Sequence, residues 1–88
     1  MTGNTGADAP SPLRAIVEVI ARALVDQPEA VKVTEAHRRG MTVVELTTAP
    51  GDMGKIIGRQ GRTAAALRTL VAVTAEKHGK RAQLDIRD

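Results

Sequence analysis

The residues of this chain whose types and spacing carry the most chemistry run from Met53 to Arg62, MGKIIGRQGR. Gly58 and Gly61 bracket Arg59 and Gln60, the apolar pair Ile56 and Ile57 precedes them, and Lys55 and Arg62 place charge on either side. Glycine lacks Cβ and adopts positive φ at little cost, so backbone amides in such a loop can close on an anionic oxygen. The following stretch, Thr63 to Leu70, is rich in alanine, leucine and arginine and favours helix. The loop is therefore expected at a helix N-terminus, where unpaired N–H groups and the positive dipole end attract phosphate. On this reading the amides of Arg59 to Arg62 take phosphates, and Lys55, Arg59 and Arg62 supply charge. Ile56, Ile57 and Ala64 offer apolar surface beside the loop. Neighbouring helical positions point about 100° apart, so one of the two isoleucines belongs to the core and the other is a candidate for the groove.

Other constellations carry less chemistry. Neither His37 nor His78 has a second ligand or a carboxylate at metal-binding spacing, and neither is placed as a general base. Cysteine is absent, which rules out disulfides, thiol catalysis and thiolate zinc sites and fits a reducing compartment. Gly54-Lys55 lacks the upstream glycine and the following Ser or Thr of a nucleotide-binding P-loop. With no nucleophile–base set, acid–base dyad or cofactor fingerprint, the chain reads as a non-enzyme with no cofactor, metal or small-molecule substrate. Arg38 and Arg39 read as turn solubility, with an auxiliary contact as the alternative.

The 88 residues suffice for one domain with one core, and 42% hydrophobic with 26% charged residues fits a globule rather than a disordered chain. No apolar run approaches the ~20 residues of a membrane span, and the first ten residues lack the basic and apolar regions of a signal peptide, so a cytoplasmic location without membrane contact is expected. A net charge of +3 favours polyanionic partners. The absence of every Phe, Tyr and Trp argues against the modules that hold bases by stacking them on rings, RRM sheets and most OB-fold clefts.

The elements that must position the loop follow from periodicity. Residues 1–10 lack it and read as a flexible tail. Ser11 can cap a helix beginning at Pro12, with Leu13, Ile16, Val17, Ile20 and Leu24 on one stripe and an end by Gln27, before Pro28. A short strand is expected around Val31 to Thr34 and a second over Thr42 to Thr48, joined by a turn at His37-Arg38-Arg39-Gly40. Asp52 is placed to cap a short helix over Met53 to Ile57. A longer helix then runs to near His78, with Ala64, Leu67, Val71 and Thr74 on its inner face and Gly79 past its end. Ala82, Leu84 and Ile86 alternate with Gln83, Asp85 and Arg87 as a closing strand, with Glu45 and Asp85 facing solvent or a lateral ion pair. The order is αββααβ.

The run Ile56-Ile57-Gly58-Arg59-Gln60-Gly61-Arg62-Thr63-Ala64 resembles the GxxG motif of K-homology (KH) domains, apolar-apolar-Gly-x-x-Gly-x-x-apolar. Ala49 to Leu70 and the short total length are similar to the small bacterial stand-alone KH proteins of the KhpA type, and the resemblance extends over Leu13 to Asp88. It implies an α+β, type II KH fold in residues 11–88, three helices packed on a three-stranded mixed sheet. It also implies single-stranded RNA as ligand, with about four nucleotides clamped at the loop and aliphatic side chains receiving the bases. Ile56, Ile57 and Ala64 are the residues expected against bases. Ala64 stands where many KH domains carry a branched residue, which implies a shallower groove. The resemblance further implies an RNA chaperone or post-transcriptional regulator, a homodimer or a heterodimer with a larger KhpB-type KH protein, and a link to cell shape. A second reading makes the chain chiefly an interaction subunit, with RNA held mainly by its partner.

Overall fold

Ser11 starts the first helix in the way its position before Pro12 predicts. Its backbone is extended and its hydroxyl accepts the Arg14 amide at 3.1 Å, satisfying one of the amides a helix start leaves open. The computed structural model of the protein describes residues 11–87, so the tail expected over residues 1–10 lies outside them. Helix α1 covers Pro12–Leu24 and buries Leu13, Val17 and Ala21, spaced by four, with Ile16 and Ile20 half-buried beside them. Leu24 drifts off this stripe and is 37% exposed. The Ser11 hydroxyl also donates to the Glu35 carboxylate, tying the helix start to the first strand.

Strands β1 (Lys32–Arg38) and β2 (Met41–Thr47) form an antiparallel hairpin, and β3 (Arg81–Arg87) pairs in parallel with the other side of β2. The strand order is β1-β2-β3. Between β2 and β3 lie a 3-10 turn at Pro50–Asp52, helix α2 (Met53–Ile57), a second 3-10 turn at Arg59–Gly61 and helix α3 (Arg62–Lys77). The three helices and the mixed three-stranded sheet make the expected α+β, KH-like αββααβ architecture.

β1 runs four residues further than its alternation of apolar residues suggests. Its second half, Glu35-Ala36-His37-Arg38, is held by ladder pairing with Val44 to Met41 and by polar partners on the helix side. Those partners are Ser11 for Glu35 and the Thr42 hydroxyl, 3.2 Å from His37 Nδ1. The turn is accordingly confined to Arg39-Gly40, and His37 and Arg38 belong to the strand.

Val33, Val44, Leu46 and Leu84 from the sheet meet Leu13, Val17 and Ala21 of α1, Ile56 of α2, and Leu67, Val71 and Ala75 of α3 in one core. Val17, Val44, Leu46 and Ile56 are wholly enclosed. On α3 Ala75 takes the inner place expected of Thr74, because burial recurs at Ala64, Leu67, Val71 and Ala75. α3 ends in a Schellman motif: Lys80 N–H donates to Ala75 O at 2.8 Å and Gly79 N–H to Glu76 O at 3.0 Å, with Gly79 at φ +69°.

Asp52 does not cap α2. It is the last residue of the preceding 3-10 turn, with φ −100° and ψ −6°, rather than the extended conformation that aims a cap side chain at the next amides. The carboxylate, 2% exposed, instead accepts the Asp26 amide at 3.2 Å and the Gln27 amide at 3.0 Å. It thereby ties the exit of α1 to the start of α2 across 26 residues. Asp52→Ala leaves both amides without their acceptor and is expected to cost about 1.5–3 kcal/mol, by the usual magnitude for hydrogen bonds to a charged group. Urea denaturation followed by circular dichroism checks this, with Asp52→Asn expected to fall between alanine and wild type.

Candidate nucleic-acid interface

The loop Gly58-Arg59-Gln60-Gly61 is the joint between α2 and α3, and its backbone is unusual for so short a segment. Gly58 (φ +76°, ψ 174°), Gln60 (φ +58°, ψ 24°) and Gly61 (φ +74°, ψ 12°) all lie at positive φ. Positive φ is free for glycine and costs a residue with a Cβ about 1–3 kcal/mol, so Gln60 is held there by its surroundings. A Cβ on Gly58 would stand 2.2 Å from Thr63 Oγ1, 2.7 Å from Thr63 Cβ and 3.0 Å from the Thr63 amide. The first turn of α3 therefore rests on the bare backbone of Gly58.

The turn uses part of its own amide supply. Gly61 N–H donates to Gly58 O at 3.1 Å, and Arg62 N–H donates to Arg59 O. Of the four amides expected to take phosphates, those of Arg59 and Gln60 remain without a backbone acceptor among the described residues. The early α3 amides beyond Arg62 are open as at any helix start. Arg59 and Arg62 are exposed and in no ion pair among the described residues.

Lys55 differs from its expected role as a mobile charge. Its ammonium lies 3.2 Å from Asp26 Oδ2 and 3.7 Å from Asp52 Oδ1, so its charge is locally matched by two carboxylates. The Asp52–Lys55 spacing of three is readable in the sequence as a helical pair, but nothing local points to Asp26. The isoleucines divide as their angular separation requires: Ile56 is enclosed in the core, and Ile57 is 36% exposed beside the loop. Ala64 is 2% exposed and underlies the site instead of presenting a surface. His37 and His78 are both exposed, at the opposite end of the sheet and of α3. Among the described residues no group of three or more His, Cys, Asp or Glu is placed to hold a metal. Among them, too, no helix is long and apolar enough to cross a membrane.

Gly58→Ala is expected to destabilise the fold by about 1–3 kcal/mol from backbone strain, with the Thr63 contact adding to it. Gly61→Ala, which meets nothing within 4 Å, carries the strain alone and is expected to cost less. Paired chemical denaturation curves of the two variants check the order.

Comparison with known proteins identifies the family. The family model described as KhpA/KhpB, KH domain, matches residues 14–86. The RNA-binding protein KhpA of Caldanaerobacter subterraneus subsp. tengcongensis is 52% identical over 71 residues, covering 81% of this chain and 95% of that protein. That of Halalkalibacterium halodurans is 51% identical over 77 residues, 86% of this chain and 100% of the relative. The Aquifex aeolicus protein of the same name is 46% identical over 76 residues, 86% of this chain and 96% of its own length. With an αββααβ fold, a GxxG joint between its second and third helices and these relatives over most of its length, the chain belongs to the KhpA/KhpB KH-domain family.

Proposed function

We propose that this protein binds single-stranded RNA across the Gly58–Gly61 loop, as a binding module and not as an enzyme. The observation that carries the reading is the loop's backbone. Three of its four residues are at positive φ, and the Arg59 and Gln60 amides lie open at the start of a sixteen-residue helix, between exposed Arg59 and Arg62. Phosphates meet those amides and the two guanidiniums, and Ile57 gives a base its apolar contact while Ile56 and Ala64 support the groove from within. Lys55 contributes through the Asp26–Asp52 cluster rather than as a free cation. Phosphate contacts position a strand without reading it, so one copy discriminates weakly between sequences. The relatives' name, RNA-binding protein KhpA, supports the ligand class. A cytoplasmic RNA chaperone or post-transcriptional regulator paired with a KhpB-type protein is the role we assign.

Arg59→Asp with Gln60→Asp directs two carboxylates into the phosphate path from exposed positions. Fluorescence anisotropy with a short RNA is expected to show loss of binding, with the far-UV circular dichroism of the wild type retained. Unchanged affinity in the folded variant would falsify the clamp.

The exposed side of α3 favours the second reading, association, alongside the first. Leu70 is 43% and Val73 46% exposed, and exposed Ala66 lies beside them on the helix side turned from the core. Two tethered weak modules act at high effective concentration, which gives a weak single site useful occupancy. Light scattering at micromolar concentration is expected to show a dimer that Leu70→Lys with Val73→Lys converts to monomer. A strict monomer that recovers no partner protein from its native lysate defeats this reading.

A further inference from the structure

The strongest feature that the loop does not use is the charge at the opposite end of the molecule. There the Arg39-Gly40 turn of the hairpin, the start of β3 and the end of α3 come together. Met41 pairs with Arg38 on one side and with Arg81 on the other, so the three side chains form one row across the sheet. At the usual strand spacing the two arginines flank Met41 about 10 Å apart. Arg39 at the turn and Lys80 beside Arg81 extend the row to four exposed cations from two separate parts of the chain. Lys80, Arg81 and Met41 line a shallow surface groove with Ala72 and Ala82, and Glu76 is its one acidic lining residue. None of the four cations is in an ion pair among the described residues.

The other end of the same sheet carries one exposed cation in no ion pair among the described residues, Lys32, and one that is paired, Arg87. Arg87 is held by Asp85 at 3.1 Å and by Glu45 at 3.7 Å. Four like charges within about one Debye length repel one another, and no described carboxylate pairs with them. A second, independent observation concerns the turn. Arg39 (φ +51°) and Gly40 (φ +79°) are the two central residues of a two-residue hairpin loop, both at positive φ. That turn favours Asn or Asp at its first central position, where an arginine is strained. The local rule is broken at the residue that adds a cation to the cluster, and such departures collect at functional sites.

We propose that this hairpin end is a second phosphate-binding surface, which takes the backbone of the same RNA beyond the nucleotides held at the Gly58–Gly61 loop. The inference rests on the reading of the chain as an RNA binder. Guanidinium forks suit phosphate oxygens, and three of the four cations are arginines. The two surfaces are separated by the length of α3, sixteen residues or about 24 Å. That distance is about seven nucleotides of a stacked strand at about 3.4 Å each. The protein therefore binds long strands at two points and short ones at one.

The test is Arg38→Gln, Arg39→Asn and Arg81→Gln combined, in the full chain, with circular dichroism to establish folding. Asparagine suits the turn at position 39, so the variant is expected to fold. Anisotropy is measured with an RNA of about four nucleotides, the span of the loop, and with one of about fifteen, twice the separation of the surfaces. The variant is expected to bind the short RNA as the wild type does. Its affinity for the long RNA is expected to fall about tenfold, and its slope of log affinity against log salt to flatten by about 0.7 for each phosphate no longer neutralised. Long-RNA affinity and slope equal to wild type overturn the second surface, as does an equal loss for both lengths. Arg59→Asp with Gln60→Asp, run beside it, separates the two readings. Loss of short-RNA binding only in that loop variant supports the clamp, whereas long-RNA binding that survives there and falls in the triple variant supports the second surface alone. A wild type that binds neither RNA overturns both.

Discussion

The parallel pairing of β3 with β2 is the constraint on which the rest of this molecule depends. A parallel neighbour must begin at the same end as its partner, so the chain leaving β2 at Thr47 has to travel the length of the sheet and return to Met41. α3 makes that return: sixteen helical residues span about 24 Å, and seven strand residues about 23 Å. The equality fixes both ends of the molecule. The GxxG joint falls where α3 starts, and the Schellman motif at Gly79 delivers Lys80 and Arg81 beside the hairpin.

The joint has to reverse the chain between α2 and α3 while Ile56 and Ala64 on either side stay in the core. Positive φ at Gly58, Gln60 and Gly61 achieves the reversal in four residues, and the missing Cβ of Gly58 lets Thr63 close over it. The amides that remain open are a consequence of that tight reversal. Asp52 steadies the same corner from below by accepting two amides from the end of α1. A buried carboxylate with such partners holds the segment before the loop in place.

Charge is distributed along the molecule by pairing as much as by composition. Lys55 and Arg87 are matched by Asp26, Asp52, Asp85 and Glu45, whereas Arg59 and Arg62 at one end, Arg38, Arg39, Lys80 and Arg81 at the other, and Lys32, Arg68 and Lys77 are exposed and in no ion pair among the described residues. Attraction of such exposed charges is screened within about 8 Å at physiological salt and so acts locally.

Much of this is legible in the chain because it is local. Ser11 before Pro12, the period of α1, the glycine pair before an alanine-rich run and Gly79 after the long helix each express a backbone preference that acts within a few residues. Aromatic residues are absent, and that alone argues against ring-stacking modes of base recognition. What only the tertiary structure decided depends on groups far apart in sequence. β1 continues to Arg38 because β2 pairs with it, although Glu35 and His37 break its apolar alternation. Asp52 reads as a cap because capping is a local habit of aspartate, and it becomes a clamp because folding brings the Asp26 and Gln27 amides within its reach. Which isoleucine is buried, which lysine is neutralised and which arginines share one row are settled by packing and strand register. Those are sums over contacts between distant segments, and a local preference holds no information about them.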